Sequence, residues 1–323
     1  MPYVPVPSAP SAAAGAGCPE SLFSNEWLIH EICVLPAGRF LQVSLEDTGA
    51  NNSYGGGTNL NAGTLNAGSA NALGSSGTIS FGGGTLQYSA ANQADYSARF
   101  STAANQAYRI DTNGQNVTLA SALSSTDGTL TKTGTGTLTL LGANTYSGTT
   151  TVSAGTLNVG GGGSTGSIAN SAVINNANFM VDRSDAIALA SLVGGTSITG
   201  TGNITVRSNA GVNINRTINL SGANSTITLL AGNATVAGTA SGGDVTLSNT
   251  ITTSSAGTVT IFSGNAATSA LDAQISGATG GKAKTYNVAT AATSAATAGA
   301  RNIYYRVAPT ITVSGITGTT VNG

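Results

Sequence analysis

The residues that could do chemistry are few, and the clearest candidate lies near the start of the chain. His30-Glu31 is half of a zinc-protease motif, in which two histidines four residues apart bind the metal and the glutamate acts as a base. Val34 stands where the second histidine is needed, so a solvated helix face is the better interpretation. His30 is the only histidine of the chain, so any Ser-His-Asp triad would have to use it. The sequence therefore predicts neither a zinc site nor a triad.

Two other patterns resemble sites without completing them. Cys18 and Cys33 have neither metal-ligand nor redox-motif spacing, which leaves a disulfide or two incidental thiols. The stretch 277–282 resembles a phosphate-binding loop, but Ser276 replaces its first glycine and Ala283 its hydroxyl residue. An ordinary loop is the better interpretation here.

Asp182 and Asp185 could form a carboxylate pair of the kind that cleaves polysaccharides. Arg183 lies between them, so a local ion pair is the simpler prediction. From residue 48 onward the chain has no histidine, glutamate or cysteine, and general acid–base catalysis usually recruits such groups. We predict no catalytic residue, no metal ligand, no cofactor-binding residue and no cofactor. Tyr304 and Tyr305 are expected to pack within a strand rather than to stack on sugars.

Short β-strands form the frame for these residues. In the stretch 129–159, alternating threonine and leucine runs are separated by Gly/Asn turns, a pattern typical of strands only a few residues long. Alternation points Leu138 and Leu140 inward and the intervening threonines outward. Lys132 shares the parity of Leu130, but the glycines at 134 and 136 are expected to end that strand early and leave Lys132 at the rim. The outward threonines of 129–139 are expected to be a solvated face, because an ice-binding array needs register over many rungs and only two show it here.

Part of this stretch occurs twice in the chain. Residues 49–68 read GANNSYGGGTNLNAGTLNAG and residues 142–160 read GANTYSGTTTVSAGTLNVG. Aligned with one extra residue, the two copies match Leu60 with Val152 and Leu65 with Leu157. A repeated strand-turn unit is the signature of a solenoid, in which each turn buries its apolar face on the next.

The segment GTLTKTGTGTLTLLGANTYSGTTTVSAGTLNV resembles the autotransporter-associated β-strand repeat of passenger regions in large secreted bacterial surface proteins. The resemblance is good from about residue 48 to 160 and weaker from 161 to 262. It implies an all-β right-handed parallel β-helix (β-solenoid) on the cell surface, at the outer membrane or secreted by a Gram-negative bacterium. Residues 298–310 resemble a junction in filamentous-haemagglutinin-type exoproteins. Export through a translocation barrel outside this chain is implied as well, and whether that barrel is covalently attached stays open.

Composition agrees with a thin stacked core. Only 7% of residues are charged and 45 are glycine, whereas an average protein is about 25% charged. The net charge of −1 gives no electrostatic reason to expect nucleic acid or an anionic membrane as a partner. No apolar run approaches the roughly 18 residues that suggest a membrane-spanning helix.

The first 47 residues differ from the rest and hold all four glutamates, the only tryptophan and six of the seven prolines. We expect residues 1–47 to be a poorly ordered lead-in or a mis-assigned start that packs little on the solenoid, with the export signal further upstream. Residues 48–160 are predicted to be the β-helix with the repeats, and 161–262 its continuation. Residues 263–323 are predicted to be a β-rich junction to a following domain beyond this chain.

The predicted function is therefore contact. The chain is expected to be a non-catalytic stalk or adhesin segment that meets host or environmental surfaces, glycans or other copies of itself. Two alternatives remain: a polysaccharide lyase or hydrolase on the same scaffold, and a passive segment that helps a passenger fold after export. The receptor and the oligomeric state are not specified by the sequence.

Overall fold

The computed structural model describes residues 42–44, 55–232, 243–265, 275–276, 282–286 and 299–307. This part of the chain is nearly all β, and its parallel sheets stack into a β-solenoid of about nine turns. The predicted fold class is thus confirmed. His30, Cys18, Cys33 and the loop 277–281 lie outside the described residues, and the predicted domain boundaries stay predictions.

Face 1 is the longest sheet and contains eleven parallel strands among the described residues. In spatial order they are β1 (Gln42–Ser44), β3 (Thr64–Asn66), β5 (Thr85–Gln87), β6 (Ala107–Asp111), β8 (Thr129–Thr133), β10 (Thr150–Val152), β12 (Val173–Asn175), β15 (Ser197–Gly200), β18 (Thr217–Leu220), β21 (Ile251–Thr252) and β23 (Ile275–Ser276). β1 belongs to the stretch predicted as lead-in, so the last residues of that stretch pair with the solenoid.

Face 2 is the second long sheet, with nine parallel strands in the described part. They are β7 (Val117–Leu119), β9 (Thr137–Leu140), β11 (Thr156–Val159), β13 (Asn178–Arg183), β16 (Asn203–Ser208), β19 (Thr226–Leu230), β22 (Thr258–Asn265), β25 (Arg301–Val307) and β24 (Lys282–Tyr286). β25 lies between β22 and β24, so the last two strands stack out of chain order.

The third side of the solenoid is less regular. It holds a two-stranded sheet, β2 (Thr58–Leu60) with β4 (Ile79–Phe81), and a three-stranded sheet, β14 (Ile187–Ala188), β17 (Val212–Ile214) and β20 (Val245–Leu247). A 3-10 turn at Ser97–Arg99 and one helical turn, α1 (Leu189–Leu192), complete it. α1 lies within the apolar run 186–193.

Strict alternation places one set of side chains in the core. Leu138 and Leu140 are buried, as predicted, and belong to one continuous cluster with Leu65, Val152 and Leu157. On face 2 the inward positions of successive strands pair Leu138 with Leu157 and Leu157 with Phe179. Burying each such side chain contributes on the order of 2 kcal/mol, so stacking supplies the stability that a thin core requires.

The repeated unit encodes a corner of the solenoid. Gly63 (φ 70°) and Gly155 (φ 64°) both adopt the left-handed conformation between two strands, which glycine reaches without a steric penalty. Leu65 nevertheless lies on face 1, whereas its sequence match Leu157 lies on face 2. The same strand-glycine-strand unit is therefore used at two different corners.

Candidate functional site

The aspartate pair considered for catalysis is divided between two ion pairs. The guanidinium of Arg183 contacts the Asp185 carboxylate with Nε at 2.8 Å and a second nitrogen at 2.9 Å. Asp182 instead accepts a 2.6 Å hydrogen bond from Arg207, one rung further along. Arg183 donates its remaining hydrogen bonds to the backbone oxygens of Gly166 and Ser164. These contacts fasten the end of β13 to the neighbouring loop.

In each ion pair, Arg183 with Asp185 and Arg207 with Asp182, the hydrogen bond stabilises a charged form. The hydrogen bonds from Arg183 lower the pKa of the Asp185 carboxyl, and the hydrogen bond to Asp182 raises the pKa of Arg207. A general acid needs the opposite, a carboxyl whose pKa is raised toward the working pH. The arrangement is that of a local ion-pair cluster, which the position of Arg183 in the sequence indicated.

Lys132 is not at the rim, and that prediction was wrong. β8 continues to Thr133, so the parity with Leu130 holds and the Lys132 side chain points inward with no exposed area. On face 1 it pairs with Ile110 on one side and Val152 on the other, which places a lysine in an apolar column. Gly134 turns the chain only after the lysine has entered the core.

A cage of oxygen atoms surrounds the ammonium group of Lys132. Nζ donates to Thr112 Oγ1 at 2.8 Å, to the carbonyls of Thr133 and Gly134 at 2.6 and 2.7 Å, and to the carbonyl of Ala154 at 3.2 Å. These acceptors come from three successive turns of the solenoid. Because a buried charge is tolerated only when it is hydrogen-bonded, the cage accounts for the position of Lys132 and also ties the three turns together.

Burial lowers the pKa of Lys132 to about 8, and the nearby Asp111 carboxylate opposes this shift. In the unfolded chain a lysine titrates near 10.4, so between pH 8 and 10 the unfolded state binds more protons than the folded state. By linkage, this difference makes the free energy of unfolding rise with pH. Tyrosines act in the opposite direction above pH 10, because burial raises the pKa of Tyr108 to about 12.

We therefore expect the free energy of unfolding to rise between pH 8 and 10 and to fall above pH 10. The rise is at most about 1.4 kcal/mol per pH unit, and it should disappear in Lys132→Met. Urea unfolding of both proteins at several pH values checks this. A stability difference between the two that stays constant from pH 7.5 to 9.5 would contradict the assignment.

Other cations also bind backbone carbonyls of an adjacent turn. Arg99 donates to the carbonyls of Leu73, Gly74, Ser76 and Gly77, and its guanidinium lies 5.9 Å from the centroid of the Tyr96 ring. Arg306 is buried and donates to the carbonyls of Ala231 and Gly243. Three of the described cations, Lys132, Arg99 and Arg306, are thus engaged with the backbone of the solenoid, whereas Arg109 is exposed.

The outer surface of face 2 carries a narrow band of uncharged residues, here named the polar strip, which consists of threonine and asparagine and is interrupted by Met180. Its first column is Thr118, Thr139, Asn158, Met180, Thr205, Thr228 and Thr260, in register on seven strands. Its second column is Thr137, Thr156, Asn178, Asn203 and Thr226, and Thr258, which continues this register, is buried. The sequence showed outward threonines on two rungs, and in the structure the first column has threonine on five of its seven strands.

The remaining predicted positions are accounted for by packing. Tyr304 and Tyr305 are buried, and the Tyr304 ring stacks on Phe262 with ring centroids 4.6 Å apart. This confirms the packing prediction for the tyrosines.

Among the residues that the structure describes, no group of three or more His, Cys, Asp or Glu side chains is placed to hold a metal ion. No helix in this part of the chain is long and apolar enough to cross a membrane.

A family model described as the passenger-associated-transport-repeat matches residues 44–67 and 130–159. The second match covers nearly all of β8 to β11, which include Lys132, its acceptors Thr133, Gly134 and Ala154, and the corner at Gly155. No curated protein and no solved structure matches the chain significantly.

Proposed function

From the premise that this chain carries two passenger-associated transport repeats within a β-solenoid, we propose that it is a contact segment of an autotransporter passenger. It acts as a stalk or adhesin on the surface of a Gram-negative bacterium. Its partners are host or environmental surfaces, glycans or other copies of itself, and it binds no nucleic acid. Its role is binding without turnover.

The observation that carries this proposal is a difference in side-chain use. Several cations bind backbone carbonyls or aspartates of the solenoid, whereas the outer surface of face 2 carries uncharged residues. Lys132, Arg99 and Arg306 bind backbone carbonyls of other turns, and Arg183 and Arg207 hold the two aspartates that could have served catalysis. The polar strip presents neutral hydroxyl and amide groups instead. Such an arrangement suits an extended contact surface better than a reaction centre.

The proposal is tested with the full chain immobilised on beads. We expect the beads to adhere to matrix-coated, cell-coated or abiotic surfaces, and we expect the soluble chain to release no product from pectin, alginate or peptides. Asp182→Asn and Asp185→Asn should leave adhesion unchanged. Turnover that either substitution abolishes would establish the enzyme alternative, and a chain that adheres to nothing would favour the passive export segment.

A further inference from the structure

The strands at the end of face 2 do not stack in the order of the chain. β22 pairs with β25, from Val259 with Arg301 to Asn265 with Val307. β24 lies on the other side of β25, which is its only sheet neighbour in the described part of the chain. Because β24 precedes β25 in the sequence, the chain passes one position on face 2 and then returns to fill it. The last described strand is therefore an interior strand, with a paired neighbour on each side.

The length of the chain permits either order. One turn of face 2 takes 25 residues from Asn178 to Asn203, and a similar stretch separates Val259 from Lys282. β24 could therefore reach the position next to β22 that β25 occupies. The reason for the observed order has to lie in the residues of the two strands.

The register of the two strands favours β25 in the interior position. Ile303 of β25 is in register with Ile261 of β22, and both are buried. In β24 the residue in register with Ile303 is Lys284, and Lys282 occupies the alternate position before it. With β24 next to β22, both lysines would take positions in this apolar column, where a charge needs hydrogen-bond partners. At the edge of a sheet, in contrast, lysine is common and opposes further pairing.

Arg306 fastens β25 across β22. This residue is 1% exposed, and it donates hydrogen bonds to the carbonyl of Gly243, at 2.7 Å, and to that of Ala231. A Cβ atom added to Gly264 of β22 would lie 2.8 Å from Arg306 Nη2, so glycine at this position leaves room for the crossing. Arg306 therefore joins the last described strand to the backbone that follows β19 and precedes β20.

We propose that this strand order is an end lock of the solenoid. A solenoid strand contacts only its neighbours, and the ends of a structure open more easily than its interior. If β25 were stacked last, it could separate from a single neighbour. In the observed order it separates only when its ladders with β22 and β24 both break and Arg306 releases its two carbonyls. The lock resists unwinding of the described strands from their C-terminal side, and it does not depend on the proposed contact function.

Disulfide formation tests the strand order in the full chain, with Cys18 and Cys33 replaced by serine. Thr260→Cys with Asn302→Cys joins residues in register on β22 and β25. Neighbouring strands are about 4.8 Å apart, within the reach of a disulfide. Thr260→Cys with Ala283→Cys joins β22 to β24, about 10 Å apart. We expect mild oxidation to cross-link the first pair and not the second. A second pair that cross-links as fast as the first would show stacking in chain order and overturn the lock.

Hydrogen exchange followed by mass spectrometry tests the lock itself. In the wild type we expect the amides of β25 to exchange more slowly than those of β24. Arg306→Met should speed exchange in β25 about tenfold, the effect of hydrogen bonds lost at a buried site, and leave β9 unchanged. Arg109→Met, which replaces an exposed cation of face 1, is the control and should change neither strand. Equal exchange in β24 and β25, or an Arg306→Met protein in which β25 keeps its protection, would refute the lock.

Discussion

Lys132→Met is expected to lower the free energy of unfolding by about 3 kcal/mol at neutral pH. Methionine fills a similar volume but cannot donate, so the carbonyls of Gly134 and Ala154 and the hydroxyl of Thr112 lose their donor. An acceptor left buried without a partner costs about 1 to 3 kcal/mol. Removal of the buried charge offsets part of that loss, because desolvation of the ammonium no longer opposes folding.

Urea unfolding followed by circular dichroism measures the effect. Arg109→Met is the matched control, because Arg109 is an exposed cation on the strand adjacent to Lys132. Surface changes of this kind usually stay within about 0.5 kcal/mol. If the two variants unfold at the same urea concentration, the cage does not stabilise the solenoid as described.

Gly155→Ala is expected to destabilise the fold by about 2 to 5 kcal/mol. At φ 64°, a residue with a Cβ atom is strained by about 1 to 2 kcal/mol. The added atom would also meet the carbonyl oxygens of Gly136 and Gly134, the latter at 2.6 Å, and would lie 2.9 Å from Lys132 Nζ. Backbone atoms cannot rotate away, so the corner would have to shift and the Lys132 cage would open with it.

Gly163→Ala provides the comparison, because a Cβ atom added there would lie 3.5 Å from its nearest neighbour, the carbonyl oxygen of Gly160, and the φ of Gly163 is not positive. We expect this variant to unfold close to the wild type in the same urea titration. A Gly155→Ala protein as stable as Gly163→Ala would show that the corner tolerates a side chain, against the geometry described above.

The parallel solenoid could be predicted from the sequence because the repeat carries three signals that agree. Alternation places Leu138 and Leu140 inside, glycine at 155 supplies a positive φ, and the unit recurs at 49–68. The faces to which the copies belong could not be predicted. The sequence of a strand-glycine-strand corner can be the same at each of the three corners of the solenoid. The corner that a given copy occupies is determined only by its pairing with neighbouring turns.

The burial of Lys132 and its hydrogen-bond acceptors could not be predicted from the sequence. Its parity with Leu130 indicated burial, but four of its neighbours are backbone or hydroxyl oxygens that only stacking brings together. Thr112 lies twenty residues before it and Ala154 twenty-two after it. Spacing along one strand contains no information about such contacts, so the general rule against buried lysine gave the wrong answer.

Only part of the polar strip could be predicted from the sequence. The Thr-Leu-Thr pattern at 137–139 is evident, but Asn158 and Thr205 join it only through pairing across strands. The side-chain hydrogen bonds of the second column, from Asn203 to Asn178 and from Thr226 to Asn203, join residues more than twenty positions apart. Sequence reasoning can find the composition of such a surface, whereas its hydrogen-bonding state has to be observed.

The spacing of paired residues shows that each turn of the solenoid needs only its neighbouring turn as a partner. Leu65 pairs with Leu86 and Ile110 with Lys132, so a strand meets its partner about one turn of chain later. A finished turn exposes the backbone groups of its last strand, which serve as a template for the next turn without waiting for distant segments. A chain that becomes available from one end can therefore fold as it emerges. Under the proposed function, in which the chain is exported, each completed turn would prevent the chain from sliding back, and thermal motion would then move the chain in one direction only.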